Sequence, residues 1–409
     1  MDPILKQAET SQPQSTWKRN IVFFLISQQC SIFGSSVASF AIIWYITLQT
    51  SSGLAITAVT IAAFLPQIIT SLFAGVWADR YNRKLLIIVP DLFIAGTTLI
   101  LVILFWLGIQ SIPMLIVISA VRSFGSGVQM PSVLAIVPQL VPSEKLVRIN
   151  GINTTLNSIL FLASPAVAGM LLGGLGIEFA LLTDVVTALL AVLFMTFLVV
   201  PAKNPAALSE NVGAIRDIID GLRYTKEHPF LMRLMIIYAI VFVLITPAAF
   251  LTPLYVERTF GPEVWKLTMN EITWSAGMLI GGIYVAVKGT FRNKFFVMFV
   301  CTASFGVTFG LLGLAPNFAI YLIILVIAGL FMPAYSAADT VLIQENVAEH
   351  MMGRVFSLVQ IIASISMPLG MLFFGPLADF ISLRYILIGS GLLLIVASPL
   401  VLGCKPSKE

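Results

Sequence analysis

A chain of 409 residues that is 58% hydrophobic, 10% charged and has a mean hydropathy of +1.00 is too apolar for a water-soluble globule, in which roughly 45–50% of residues are apolar and ~25% charged. The formal net charge of +4 would suit a polyanion, but the cations follow a different logic, set out below, and no nucleic-acid partner is expected. The sequence carries no Walker loop, catalytic triad, paired-carboxylate hydrolase pattern or metal-ligand spacing, so neither enzymatic activity nor a metal or other cofactor is expected.

After a polar opening segment, 1–20, twelve apolar runs follow in chain order. They lie at 21–48, 54–78, 85–107, 112–135, 150–172, 177–200, 231–256, 268–287, 294–314, 317–338, 354–376 and 383–403. Each approaches the ~20 residues that a helix needs to cross the hydrocarbon layer with its backbone polar groups satisfied internally. The first run has no small-residue cleavage site and reads as a retained span. Cys30, Cys301 and Cys404 sit in or beside apolar runs and read as packing residues.

When the loops are numbered alternately, nineteen of the 23 lysines and arginines fall on one side. Arg258, Lys266 and Arg384 fall on the other, and Arg122 lies within a span. The bias of cations toward the cytoplasmic face then predicts that both termini are cytoplasmic. The longest connection, 201–230, divides the spans into groups of six. It opens with a Pro/Ala/Asn stretch, and Val212, Ile215, Ile219 and Leu222 then follow at spacings that predict a short amphipathic helix.

The expected architecture is an all-α polytopic membrane protein with twelve transmembrane helices in two pseudo-symmetric six-helix bundles, 21–200 and 231–403. The linker is cytoplasmic, as is the tail at 404–409. The halves echo each other: Pro131 and Pro333 sit at the inner ends of the fourth and tenth spans. "VPSEKLVRI" (141–149) aligns with "VAEHMMGRV" (347–355), and Ser164-Pro165 with Met367-Pro368. Paired repeats of this kind place a central site between halves that rock.

The loop between the second and third runs reads Gly75-x-x-x-Asp79-Arg80-x-x-Arg83-Lys84. With the span number and central linker, it resembles the signature loop of the major facilitator superfamily. "FLPQIITSLFAGVWADRYNRK", "VPQLVPSEKL", "SPAVAGML", "FMPAYSAADTVLIQE" and "GRVFSLVQIIASISMPLG" are similar to the macrolide-efflux branch of that superfamily, and more distantly to its siderophore exporters. The resemblance implies that Asp79 accepts hydrogen bonds from the start of the eleventh helix, near Gly353 and Arg354. Such a latch holds the halves together on the cytoplasmic side, Gly75 allows close approach, and Arg80, Arg83 and Lys84 tie down the loop. The corresponding loop of the second half, 281–294, has Ala286 in place of the acid. "GPLAD" (375–379) repeats the spacing but falls on the outer face, where it reads as packing plus an exposed carboxylate near Arg384.

Ionisable groups inside spans are costly, so they are the functional candidates. Arg122 lies ~13 Å along its helix from Pro113, near mid-bilayer. Asp184 is comparably deep in the sixth span, Asp91 nearer the inner end of the third, and Glu271 near the outer end of the eighth. An acid facing Arg122 can change protonation as water access alternates, so Asp184 and then Asp91 are the expected proton carriers. The alternative is a static ion pair. The first span has Gln28 and Gln29 but no acid, where many drug/proton antiporters carry one. His228 and His350 fall in cytoplasmic segments.

Trp44, Tyr45, Phe161, Tyr238, Phe242, Trp274 and Tyr335, with Met278 and Met332, are candidates for an adaptable apolar cavity wall. The function expected from these features is proton-antiport efflux of a lipophilic, macrolide-like compound by a monomer in the cell membrane. The partners are then the substrate, protons and the bilayer. A siderophore or other metabolite exporter, a lipid flippase and a non-transporting receptor or scaffold are the alternatives.

Overall fold

The computed structural model describes residues 14–199 and 214–403; within its helices the side chains at 14–16, 75–76, 78–80, 143, 214–218 and 350 lie outside the description. The described chain is helical from end to end. Its helices are α1 (Gln14–Thr50), α2 (Gly53–Arg80), α3 (Leu85–Trp106), α4 (Ile112–Leu140), α5 (Leu146–Gly174), α6 (Ile177–Thr196), α7 (Ala214–Glu227), α8 (Pro229–Phe250), α9 (Thr252–Phe260), α10 (Val264–Lys288), α11 (Lys294–Leu314), α12 (Phe318–Asn346), α13 (Glu349–Phe380) and α14 (Leu383–Leu402).

Helix starts follow local chemistry. The side chains of Ser52, Asn293 and Asn317 accept from the backbone N–H of Ala55, Phe296 and Ile320, satisfying donors that a first turn leaves without partners. Gly176 at φ 101° and Gly261 at φ 117° break the chain before α6 and after α9, a conformation open to glycine alone at little cost.

Eleven stretches among the described residues are long and apolar enough to cross a membrane, with α8 and α9 forming one of them. The eighth expected span, α10, falls short in apolarity because it carries Lys266, Thr268, Asn270, Glu271, Thr273 and Ser275. At 25 residues it is still ~37 Å long. The seventh expected span, 231–256, is divided at Leu251 into α8 and α9. The expected linker helix begins at Ala214, so Val212 lies outside the described residues, as do the tail and Cys404.

We call the face where α1 starts and α14 ends the terminal face, and the opposite one the far face. Pairing repeats between the halves: α2 packs on α4 as α10 packs on α12, and α3 packs on α6 as α11 packs on α14. Glycine permits the tightest of these approaches. A Cβ at Gly277 or Gly281 of α10 would lie 2.3 or 2.2 Å from the carbonyl oxygens of Val326 or Leu330 on α12. Small residues at such positions bring helix backbones together where water-driven association is absent. Outside the core, Ile100, Leu189, Ile323 and Leu393 are exposed, an apolar surface suited to lipid.

Candidate functional site

The interior of the first half is a polar ladder in an otherwise apolar bundle. Arg122 Nη1 of α4 meets Asp184 Oδ2 of α6 at 2.8 Å, their side chains 9% and 1% exposed. Thr98 joins them from α3: it accepts from Arg122 Nη1 at 2.6 Å and donates to Asp184 Oδ2 at 2.9 Å. Ser35 of α1 donates to Asp184 Oδ1 at 2.9 Å. The close packing depends on Gly34, since a Cβ there would lie 1.8 Å from Thr187 Oγ1 and 2.8 Å from the Asp184 Cα.

One turn nearer the terminal face, Ser31 donates to Asp91 Oδ1 at 2.7 Å, and Gln129 Nε2 donates to the same oxygen at 2.7 Å. The next turn of α1 carries Gln28 and Gln29. Gln29 Nε2 donates to Oδ1 of both Asn153 and Asn157 on α5 at 3.1 Å. Gln28 Nε2 and Gln29 Oε1 are buried without a protein partner. Ser35, Ser31 and Gln28 recur every three to four residues, so one face of α1 carries the ladder.

The terminal half of α5 is polar over a wide face. Asn150, Thr154, Thr155 and Ser158 are exposed there beside Asn153 and Asn157. Thr154, Thr155 and Ser158 donate back to the carbonyls of Asn150, Gly151 and Thr154, which leaves their oxygens able to accept. Phe161, 57% exposed, closes this face with an aromatic ring.

The far face holds the halves together. Asp379, at the end of α13, takes the backbone N–H groups of Gly53 and Leu54 at 2.7 and 2.9 Å and the Ser52 hydroxyl at 2.9 Å. Arg258 of α9 pairs with Asp379 at 2.9 Å and donates to the carbonyls of Ser51 and Ala378, each at 2.5 Å. Ser51 donates to Glu257 at 2.7 Å. Close by, Gly169 of α5 meets Thr268 of α10 so tightly that a Cβ at Gly169 would lie 1.9 Å from the Thr268 hydroxyl. Asp379 is exposed and the glycine of its motif is packed, as expected, but its partners are Arg258 and the start of α2 rather than Arg384.

At the terminal face, the cations of the signature loop hold helix ends. Lys84 Nζ donates to the carbonyls of Thr196 and Leu198 at 2.9 and 2.8 Å, and Arg83 to that of Ala135. Burial lowers the Lys84 ammonium below the usual lysine range. Arg354 stands 3.8 Å from Asp220 of α7 and against Gly221, while a Cβ at Gly353 would meet open space. The side chains of Asp79 and Arg80, on which the expected latch falls, lie outside the described residues, as do positions 75 and 350.

The aromatic candidates divide. Trp44 is 0% and Tyr238 1% exposed, both inside the apolar core, with the Trp44 ring 5.5 Å from that of Phe40 and tilted by 39°. Tyr335 is 4% exposed and its hydroxyl has no partner. Phe242 lies 6.4 Å from the Tyr238 ring, and Phe242 and Trp274 are partly buried at the core's edge. Tyr45 donates to Gln110 at 3.3 Å. In the second half, Glu271 accepts from Asn270 Nδ2 at 3.2 Å, and Asn270 in turn accepts from the Tyr321 hydroxyl at 2.7 Å. Asp339 of α12, which the sequence reading passed over, has a buried Oδ1 with no partner. The tenth run was ended at 338, one residue short of it, whereas the helix continues to Asn346.

An all-α bundle of long apolar helices with a polar interior, and the loop sequence between α2 and α3, point to one class of membrane transporters. The sequence profile of the Major Facilitator Superfamily matches residues 24–371, and the chain belongs to that superfamily. It is 28% identical over 383 residues to macrolide efflux protein A of Streptococcus pyogenes, spanning 93% of this chain and 95% of that protein. To the multidrug efflux pump Tap of Mycolicibacterium fortuitum it is 23% identical, over 85% of this chain and 86% of Tap. Among solved structures, it superposes on the nucleoside transporter NupG with a TM-score of 0.71 at 12% identity, covering 95% and 98% of the two chains. A bacterial homologue of the iron transporter ferroportin gives a TM-score of 0.70 at 16% identity, covering 93% and 98%.

Proposed function

We propose that the protein exports bulky lipophilic compounds, a macrolide-like molecule first among them, by proton antiport and alternating access, as a monomer in the cell membrane with both termini cytoplasmic. The names of the efflux relatives support export. The crowding of lysine and arginine on the terminal face supports the orientation. The observation that carries the reading is the exposed, hydrogen-bonding half of α5 beside Gln29, on the terminal side of a molecule whose halves are joined on the far face.

That surface suits a neutral, oxygen-rich amphiphile. Amide N–H groups and hydroxyl oxygens meet its hydroxyls and carbonyls, and Phe161 meets its apolar body. Arg122 is committed to Asp184, so it presents no open cation to an anionic metabolite. Coupling is assigned to the ladder. Asp184 exchanges a proton as its contact with Arg122 and Thr98 loosens, and Asp91, oriented by hydrogen bonds from Ser31 and Gln129, takes it up on the way to the terminal face. Asp79 latches that face while the far face is open.

The test is accumulation of radiolabelled erythromycin in drug-sensitised cells expressing the protein, with and without an uncoupler. Accumulation should fall below that of vector controls and return to their level when the gradient is collapsed. Accumulation equal to controls would overturn the macrolide assignment, and lowered accumulation that ignores the uncoupler would overturn proton antiport.

A further inference from the structure

Helices α2 and α13 carry the same spacing of special residues. In α2, Gly53 is followed 22 residues later by Gly75 and 26 residues later by Asp79; in α13, Gly353 is followed at the same intervals by Gly375 and Asp379. The two helices run in opposite directions, since α2 begins on the far face and α13 on the terminal face. On the far face the start of α2 stands beside the acidic end of α13, and on the terminal face lie the start of α13 and the acidic end of α2. On the far face the match is complete: Asp379 receives two amides of the first turn of α2, and Gly375 lies against Gly53 and Thr57. A Cβ at Gly53 would lie 2.1 Å from the Gly375 carbonyl oxygen, so neither position accepts a larger residue while this face is shut.

The physics of the contact is that of a reversible clasp. A carboxylate at a helix N-terminus gains from both the exposed N–H groups and the helix dipole, and all of that gain is lost when the halves part. Arg258 binds Asp379, Ser51 and Ala378 at once, so it spans both halves. Ser51 is held at φ 46°, the one non-glycine residue with positive φ among those described. Strained backbone of this sort persists where surrounding contacts determine it, and here those contacts are Glu257 and Arg258 across the interface.

We infer that Asp379 and Arg258 are the far-face counterpart of the terminal-face latch. The α2–α13 pair exchanges one carboxylate-on-helix clasp for the other as the transporter alternates, and Asp379 sets the population of the state closed on the far face. The inference rests on the alternating-access reading above but not on any substrate. Its logic is that of nested inverted repeats, in which an axis in the membrane plane interchanges the two ends of a helix pair.

The experiment measures conformation rather than transport. Spin-label pairs at Leu175 with Tyr385 (far face) and Val147 with Val287 (terminal face), all exposed, are read by double electron–electron resonance on the full chain in nanodiscs without drug. Asp379→Ala should shift the closed-to-open ratio of the far-face pair about tenfold toward open, with the terminal-face pair moving closer. Arg258→Ala should act in the same direction, and provides the reading if the first variant does not fold. Asp79→Ala should act oppositely, and the Asp79→Ala/Asp379→Ala double variant should return toward the wild-type ratio. Unchanged distributions in Asp379→Ala and Arg258→Ala, or a shift toward a closed far face, would overturn the inference even if macrolide efflux is intact. Failed efflux with the predicted shifts would overturn only the substrate assignment.

Discussion

The backbone amide of Gly53 donates to Oδ1 of Asp379 at 2.7 Å across 326 residues of sequence, so one end of the second helix is capped by the penultimate helix. The same contact places Gly375 where any side chain would strike Thr57 Oγ1, 1.6 Å from the site of a Cβ. Gly375→Leu should therefore keep the far face from closing. A cysteine introduced by Thr57→Cys, buried in the closed state, should react about tenfold faster with a membrane-impermeant maleimide in that background, the change in open population expected from ~1.4 kcal/mol of bias. An unaltered labelling rate would show that the α2–α13 contact adjusts to the added bulk.

The Arg122–Asp184 pair separates stability from coupling. Asp184→Asn leaves a guanidinium buried without a counter-charge, which should cost ~3–5 kcal/mol and appear as a lowered thermal midpoint in detergent. Arg122→Met with Asp184→Leu removes both charges and should recover most of that stability. Thr98 keeps a partner in the double variant, because its one hydroxyl proton can turn from Asp184 to the Ile94 carbonyl 2.8 Å away. Uptake driven by a pH gradient into inverted vesicles should be absent in the double variant despite its fold. Gradient-driven uptake at the wild-type rate would make the pair a static brace and move the proton to Asp91.

If α5 holds the substrate as proposed, losses on substitution should be graded by hydrogen bonds. Gln29→Leu and Asn157→Leu each remove one partner of the 3.1 Å contact and a polar group beside the exposed face of α5. Each lost bond to substrate is worth ~0.5–1.5 kcal/mol, so KM for an oxygen-rich macrolide should rise by a few-fold up to about tenfold. An apolar dye carried by the same protein should keep its KM. Equal losses for both compounds would point to repacking of α1 against α5.

The span pattern was legible because hydropathy over a twenty-residue window reports what each segment is solvated by. Even α10 was found, although Glu271, Asn270 and the hydroxyl residues around them dilute it. Of the partnerships across the bundle, that of Arg122 with Asp184 was legible, because charge inside a span calls for a counter-charge at similar depth, but most of the others were not. The acid of "GPLAD" was assigned to Arg384, its neighbour in sequence, while its partners Arg258 and Gly53 lie 121 and 326 residues away. Direction was also hidden: Trp44 and Tyr238 belong to apolar runs on every side, and only packing decides that they point into the core. Gln29 could be singled out as polar in an apolar run, but nothing in the spacing of Asn153 and Asn157, within the run at 150–172, marks them as its partners.

Asp339 offers the sharpest remaining test, because it breaks a rule that buried groups ordinarily obey. Its Oδ1 is buried with no hydrogen-bond partner, and the hydroxyl of Tyr335, one turn earlier on α12, is likewise alone. An unsatisfied polar group of this kind costs ~1–3 kcal/mol, and such costs are retained mainly where function requires them. Asp339→Leu should then raise the thermal midpoint while lowering gradient-driven efflux, a trade between stability and activity. Asp339→Asn distinguishes charge from shape. If the carboxylate moves charge during the cycle, the asparagine variant should lose concentrative efflux yet still equilibrate substrate down its own gradient. If Asp339 serves packing alone, the asparagine variant should match wild type in both assays, and the leucine variant should gain stability without losing transport.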